Sequence, residues 1–316
     1  MIDVLKSTKF VIENSSFVKI NREKTKELAE KWSKSELVIP GWDRNYHFFD
    51  DSEKTCEYLF VLDSINFYFW AKEREDKWKT DYQGKKIDGY NALAFCLKKA
   101  FENKQFSSFN GLDYSGFKDI FQGEGEMPLI KERFEILQDN YKILNDKYGG
   151  KFSNLVELCA FDALKILSEL VDNFSSFKDE ADYKGRKIAF YKRAQILIGD
   201  LYCSFAGKKW GNLKNLDKIT MFADYKVPQI LRGYGILEYG GELSEKLNKK
   251  ELIPLGSEEE IEIRANSVWA IEFIKDELGK SGIKLRSFEV DWILWNLSQD
   301  EKNNLRPYHL TETIYY

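Results

Sequence analysis

Only five prolines, at positions 40, 128, 228, 254 and 307, interrupt a chain of 316 residues. Proline removes a backbone donor and clashes inside a helix, so its scarcity leaves long helices free to run. Long stretches repeat apolar residues with the helical period of about 3.6. That periodicity predicts helices near 22–33, 52–70, 88–103, 112–121, 128–148, 152–173, 185–206, 226–234, 242–249, 257–279 and 286–299. In the helix 152–173, Leu155, Cys159, Ala163, Ile166, Leu167 and Leu170 form a broad apolar stripe, with Glu157, Lys165, Glu169 and Asp172 opposite. A short hairpin is expected around Trp78–Tyr90, where Gly84 and Gly89 punctuate a charged run. The length exceeds the usual domain size of about 100–150 residues, yet there is no Gly/Ser/Pro linker and no internal repeat. The expectation is an all-α fold, one compact multi-helix domain over 1–316 with room for two lobes and at most a short β-hairpin.

Composition narrows the function. The 48 Lys+Arg against 52 Asp+Glu, a net charge of −4, lack the basic face of a tight duplex binder. Cys56, Cys96, Cys159 and Cys203 are isolated in apolar helical stretches, which suits buried thiols in a reducing compartment. Two histidines, His47 and His309, make a His-rich metal centre an unsuitable reading, and no metal or redox cofactor is expected. No signal peptide opens the chain and charges such as Asp63 interrupt the apolar runs, so the expected location is the cytosol, away from membranes.

Three segments do not read as purely structural. In Thr220-Met-Phe-Ala-Asp224-Tyr225-Lys-Val-Pro228-Gln229, a lone carboxylate lies between the aromatics Phe222 and Tyr225 where a new helix begins. Pro228 fits the first helical turn, which puts Asp224 beside unpaired N–H donors and the positive end of the helix dipole. Asp224 is then either an ordinary cap or a carboxylate kept ionised where positive charge develops. In 286–299, Val290, Ile293, Leu294 and Leu297 make a core face, while Phe288, Asp291, Trp292, Trp295 and Asn296 lie on the other side. Two tryptophans with a carboxylate and an amide suit a planar heterocycle, or a buried polar pair satisfied within the protein. The helix 185–206 carries Lys192, Gln195 and Gly199 opposite its core face. Gly199 inside a helix costs about 1 kcal/mol relative to Ala, which points to close approach of a backbone or ligand. Lys192 is placed to pair with Asp224 or to meet an anionic substrate, and His47 precedes the caps Asp50 and Asp51 in a loop.

Together these segments resemble one family, the queuosine salvage proteins, or queuosine 5′-phosphate N-glycosylase/hydrolases. The resemblance runs from about Phe49 to Tyr316. It is carried by Leu62-Asp63-Ser64-Ile65-Asn66-Phe67, Gly89-Tyr90-Asn91-Ala92-Leu93, Phe190-Tyr191-Lys192-Arg193-Ala194-Gln195-Ile196 and Met221-Phe222-Ala223-Asp224-Tyr225-Lys226-Val227-Pro228-Gln229. Glu262-Ile263-Arg264-Ala265, Val290-Asp291-Trp292-Ile293-Leu294-Trp295 and the ending Thr313-Ile314-Tyr315-Tyr316 extend it. The resemblance implies a fold similar to the helix-hairpin-helix DNA glycosylases, release of the 7-deazaguanine base queuine from queuosine 5′-monophosphate, and Asp224 as the catalytic carboxylate. It implies a base pocket of Phe222, Asp291, Trp292, Asn296 and His47. Trp292 stands where the family often has Tyr, and Asn296, which carries no charge, where it often has Asp.

The chemistry agrees with that implication. Breaking an N-glycosidic bond gives the ribose oxocarbenium character, which a carboxylate below C1′ stabilises. A 7-deaza base lacks the N7 that an acid would protonate in guanine, so the sugar side must carry more of the barrier. Lys192, Arg193 and Arg264 are the candidates for the 5′-phosphate, Lys192 first, with Tyr225 and Trp295 also expected against the substrate. No direct contact with tRNA or DNA is expected. A base-excision DNA glycosylase would need a positive groove, and a helical adaptor would need a flat, exposed Trp-rich face. A concave pocket joining Asp224, Asp291 and Trp292 would favour the enzyme.

Overall fold

The computed structural model describes residues 1–71, 77–104, 108–301 and 304–316. Among these, helices dominate: α1 (Val4–Asn14), α2 (Arg22–Ser33), α3 (Glu53–Ser64), α4 (Gly89–Glu102), α5 (Tyr114–Ile120), α6 (Ile130–Tyr148), α7 (Phe152–Leu158), α8 (Ala163–Asn173), α9 (Lys192–Ser204), α10 (Lys226–Gly233), α11 (Gly241–Asn248), α12 (Glu258–Lys280) and α13 (Ser287–Asp300). Six short strands form three antiparallel pairs, not the single hairpin expected. They are β1 (Val18–Ile20) with β6 (Leu237–Tyr239), β2 (Lys79–Tyr82) with β3 (Lys85–Asp88), and β4 (Glu180–Tyr183) with β5 (Arg186–Ala189). The β2–β3 hairpin is the one foreseen. Both tight hairpins turn on a residue–glycine pair with positive φ: Gln83 at 48° and Gly84 at 77°, Lys184 at 47° and Gly185 at 78°.

Four departures from the helical expectation have local causes. Helix α1 precedes every helix foreseen; Asp3 caps it by accepting from Lys6 N at 2.8 Å, and its apolar face packs on α12. The helix expected over 52–70 stops at Ser64, because two buried arginines take the next carbonyls. Arg133 donates to the carbonyls of Ile65, Phe67 and Tyr68, and Arg193 to those of Asp63 and Ser64. The stripe read as one helix over 152–173 spans two. Ala160 and Phe161 are left-handed, and Asp162 restarts the chain by accepting from Leu164 N at 3.0 Å and Lys165 N at 3.3 Å. In 185–206 the first residues are β5, and α9 begins only after Tyr191, held at a φ of 51°.

The helices pack in two groups. Helix α3 lies against α4, α6, α7 and α9; α12 lies against α1, α2, α10, α13 and β1. Between them, α9 from the first group faces α10 and α13 from the second, and the functional residues of the next section line that junction. No helix among the described residues is long and apolar enough to cross a membrane.

Candidate active site

The segment 220–224 is held from three sides. Gln195 accepts from Thr220 N at 2.8 Å and donates to its hydroxyl at 2.8 Å. Asp291 Oδ2 accepts from Phe222 N at 3.1 Å, and Arg264 Nε donates to Ala223 O at 3.0 Å. Asp224 then closes the start of α10, its Oδ1 accepting from Lys226 N at 2.8 Å and Val227 N at 3.0 Å. Asp224 is therefore the helix cap the sequence suggested, and only one of its oxygens does that work. Oδ2 accepts no hydrogen bond among the described residues and Asp224 lines a cavity of about 410 Å³.

Nine of the residues singled out from the sequence line this one cavity: His47, Lys192, Phe222, Asp224, Tyr225, Asp291, Trp292, Trp295 and Asn296. Asn296 is exposed at the rim, and its amide donates to Trp292 O at 2.9 Å on its own helix. Phe288, grouped with Trp292 by helical spacing, is fully buried and does not reach the cavity. It braces the wall from behind, 5.0 Å from Trp292 between ring centres. Gly199 explains itself here: a Cβ would lie 3.0 Å from Phe222 Cζ and 3.3 Å from Trp292 Cζ2. The aromatic wall stands where it does because α9 has no side chain at that point. Arg193 and Arg264, the other two candidates for the phosphate, do not line the cavity. Both are buried outside the cavity, Arg193 spending its N–H groups on carbonyls and Arg264 pairing with Asp179 at 2.5 Å and Glu260 at 3.2 Å. Lys192 does line the cavity, with its Nζ 3.3 Å from Asn66 O.

The electrostatics set the two central acids apart. Burial pushes Asp224 above the usual carboxylate range, opposed by the Lys192 ammonium and the two backbone N–H groups of α10. Burial and the neighbouring Asp224 charge push Asp291 well above that range, with only Phe222 N–H and Lys192 in opposition. Neighbouring buried carboxyls do not both ionise cheaply, and Asp224, with Lys192 and two backbone N–H groups beside it, is the better supported for the charge. Burial also holds Lys192 below its ordinary value, with Asp224 the strongest influence the other way. His47 is pushed down to about 4 by burial, so its ring is neutral. Its Nδ1 lies 2.8 Å from Asp43 O and its Nε2 3.0 Å from the Tyr90 hydroxyl. The carbonyl only accepts, so Nδ1 carries the proton and Tyr90 donates to Nε2.

The sequence reading passed over Asp200, Tyr90, Asn66 and Trp42, which also line the cavity. One signal was available. Lys192, Ile196, Asp200 and Cys203 fall on a single stripe of α9, and an aspartate inside an apolar helix is costly without a reason. Cys203 is accordingly half-buried on the wall, unlike the buried Cys56, Cys96 and Cys159.

This arrangement has known counterparts. A family profile described as "Queuosine salvage protein" matches residues 46–316. The chain belongs to the queuosine salvage protein family. Relatives named queuosine 5′-phosphate N-glycosylase/hydrolase include one from Sphaerobacter thermophilus, 38% identical over all of this chain and 98% of its own length. One from Mus musculus is 35% identical over 98% of this chain and 97% of its own length, and one from Bos taurus is 36% identical over the same shares.

Proposed function

We propose that this chain hydrolyses the N-glycosidic bond of queuosine 5′-monophosphate, releasing queuine and ribose 5-phosphate. The observation that carries the reading is the meeting in one cavity of Asp224, an aromatic wall of Phe222 and Trp292, and a second buried carboxyl, Asp291. The full-length relatives, named for this reaction, support it. In the reaction the C1′–N9 bond breaks with its electron pair leaving on the base, and water adds to C1′. Asp224 stabilises the positive charge on the ribose and takes a proton from the entering water; one proton ends on the base. A charge-stabilising group of this kind typically supplies about 10²–10³ in rate. Phe222 and Trp292 stack on the base, Asp291 hydrogen-bonds its edge, and His47, Tyr225, Trp295 and Asn296 complete its surroundings. Lys192 has three N–H donors, which suffice for Asn66, for holding Asp224 ionised and for the 5′-phosphate.

In the same reading the helices form a single domain of the helix-hairpin-helix glycosylase type, turned from DNA to a free nucleotide without direct tRNA or DNA contact and working in the cytosol. The test is incubation with queuosine 5′-monophosphate and mass spectrometry for free queuine. Release by the wild-type protein, absent in Asp224→Asn, is expected. Intact nucleotide after prolonged incubation with the wild type would refute the proposal.

A further inference from the structure

Two carboxyls next to the catalytic residues have no part in the mechanism above. Asp63 at the end of α3 is wholly buried, and Asp200 on α9 is 4% exposed. Each has an Oδ2 atom with no hydrogen-bond partner among the described residues. Asp63 is steadied on its other oxygen by Asn66 Nδ2 at 3.2 Å. Asp200 reaches the cavity wall and Asp63 stands behind it. A buried carboxylate oxygen left without a donor is expensive, and a protein keeps one where something else provides the donor.

The surroundings say what that donor is. Tyr90 reaches both His47, 3.0 Å from its Nε2, and the Asp200 carboxyl, yet Asp200 Oδ2 still has no donor among the described residues. The His47 ring is neutral and lies 4.2 Å between centres from Trp42, which also lines the cavity. Arg193 gives its two terminal nitrogens to main-chain carbonyls and its Nε has no hydrogen-bond partner among the described residues, while Lys192, two turns from Asp200 along α9, stands among Asp63, Asp224 and Asp291. Asp63, Asp200, Asp224 and Asp291 thus share Lys192, Arg193 and Lys226. The remaining titratable neighbours, Tyr58 and Cys203, are pushed up by burial and stay uncharged. A carboxylate without a donor, backed by a second acid and flanked by aromatic faces, is a receptor for a small organic cation.

We propose that Asp200, backed by Asp63 and flanked by Tyr90, His47 and Trp42, binds a protonated amine of the ligand. Resting on the reading above, that amine is the secondary ammonium that tethers the cyclopentenediol to the deazaguanine ring of queuosine. The ammonium donates to Asp200 Oδ2, supplying the missing hydrogen bond. Burial and the nearby Asp63 hold Asp200 well above the usual carboxylate range, and an ammonium at Oδ2 would bring it down. Binding of the ammonium therefore favours release of a proton to solvent. The site thereby separates queuosine from nucleotides whose 7-substituent is neutral.

The test compares wild type and Asp200→Asn on queuosine 5′-monophosphate and on the 5′-monophosphate of 7-cyano-7-deazaguanosine, whose nitrile is uncharged. The variant should lose about 10- to 100-fold more kcat/KM on the ammonium substrate than on the nitrile, mainly through KM, as loss of one charge-assisted hydrogen bond predicts. Equal losses on both, or none on either, would overturn the assignment. Calorimetry of free queuine near pH 7, in two buffers of different ionisation heat, separates this inference from the glycosidase reading. Wild type should release a proton on binding and Asp200→Asn should not. Proton release without hydrolysis would leave the amine site standing and remove the reaction; hydrolysis with identical proton uptake in both proteins would do the reverse.

Discussion

Two regions of the molecule bury acids, and they treat them in opposite ways. Along α12, every buried charge is matched. Arg264 is locked between Asp179 and Glu260, Tyr316 donates to Glu260 at 2.8 Å, and Glu262 accepts from the backbone of Ser16, Phe17 and Val18 and from Tyr183. Around the cavity, Asp63 and Asp200 keep oxygens without donors, burial raises Asp224, and burial with the Asp224 charge raises Asp291 further. The first arrangement holds the chain together. The second stores interaction capacity that the folded protein alone does not use, as sites prepared for a ligand do. The two meet at Ala223, where Arg264 grips the carbonyl one residue before Asp224.

The largest effect should come from breaking the matched region. Arg264→Ala leaves Asp179 and Glu260 buried without their cation and should cost about 3–5 kcal/mol of stability. Thermal or denaturant unfolding measures it, and a variant as stable as wild type would erase the contrast. Asp224→Asn should do the opposite, keeping the unfolding midpoint while losing about 10²–10³ or more in kcat. Circular dichroism and a turnover assay on one preparation decide it.

Activity should also follow pH through the two central acids. As pH falls, kcat/KM should drop once Asp224 takes a proton, at a pH above the ordinary carboxylate range because burial raises it. As pH rises, Asp291 loses the proton with which it meets the base, and kcat/KM should fall again. Asp291→Asn cannot lose that proton, so its alkaline limb should flatten while the acid limb remains. An unchanged profile would assign the limb to another group.

A last effect is on how stability follows pH. Asp63 is raised from 3.8 to about 7, chiefly by burial, so the folded state holds its proton more tightly than the unfolded chain does. Stability from this group is present at low pH and is lost as pH rises from about 4 to about 7, at up to about 1.4 kcal/mol per pH unit for one proton. Above that window the loss is complete and the curve is level. Asp63→Asn should remove the slope and be the more stable protein at pH 8, which denaturant titrations at several pH values check.

Much of this was legible in the sequence, and unevenly so. Helical periodicity located α2, α4, α6, α10, α12 and α13 to within a residue or two, because each is an uninterrupted apolar stripe. It overran α3, since nothing in 52–70 reveals that Arg133, over sixty residues away, takes the carbonyls of Ile65 and Phe67. It fused α7 with α8 because the stripe continues through a break made by two left-handed residues and the cap Asp162. The β1–β6 pair joins segments more than two hundred residues apart and leaves no local trace. At the site, Asp224 and Asp291 stood out as acids among aromatics. Asp200 did not: its reason for being buried lies on α3, in Asp63, and on α4, in Tyr90.

The most direct measurement is the structure of Asp224→Asn with intact queuosine 5′-monophosphate bound. The account predicts the deazaguanine ring against Phe222 and Trp292, its edge on Asp291, and C1′ facing residue 224. A nucleotide bound elsewhere, or bound here with C1′ turned away from residue 224, would contradict it.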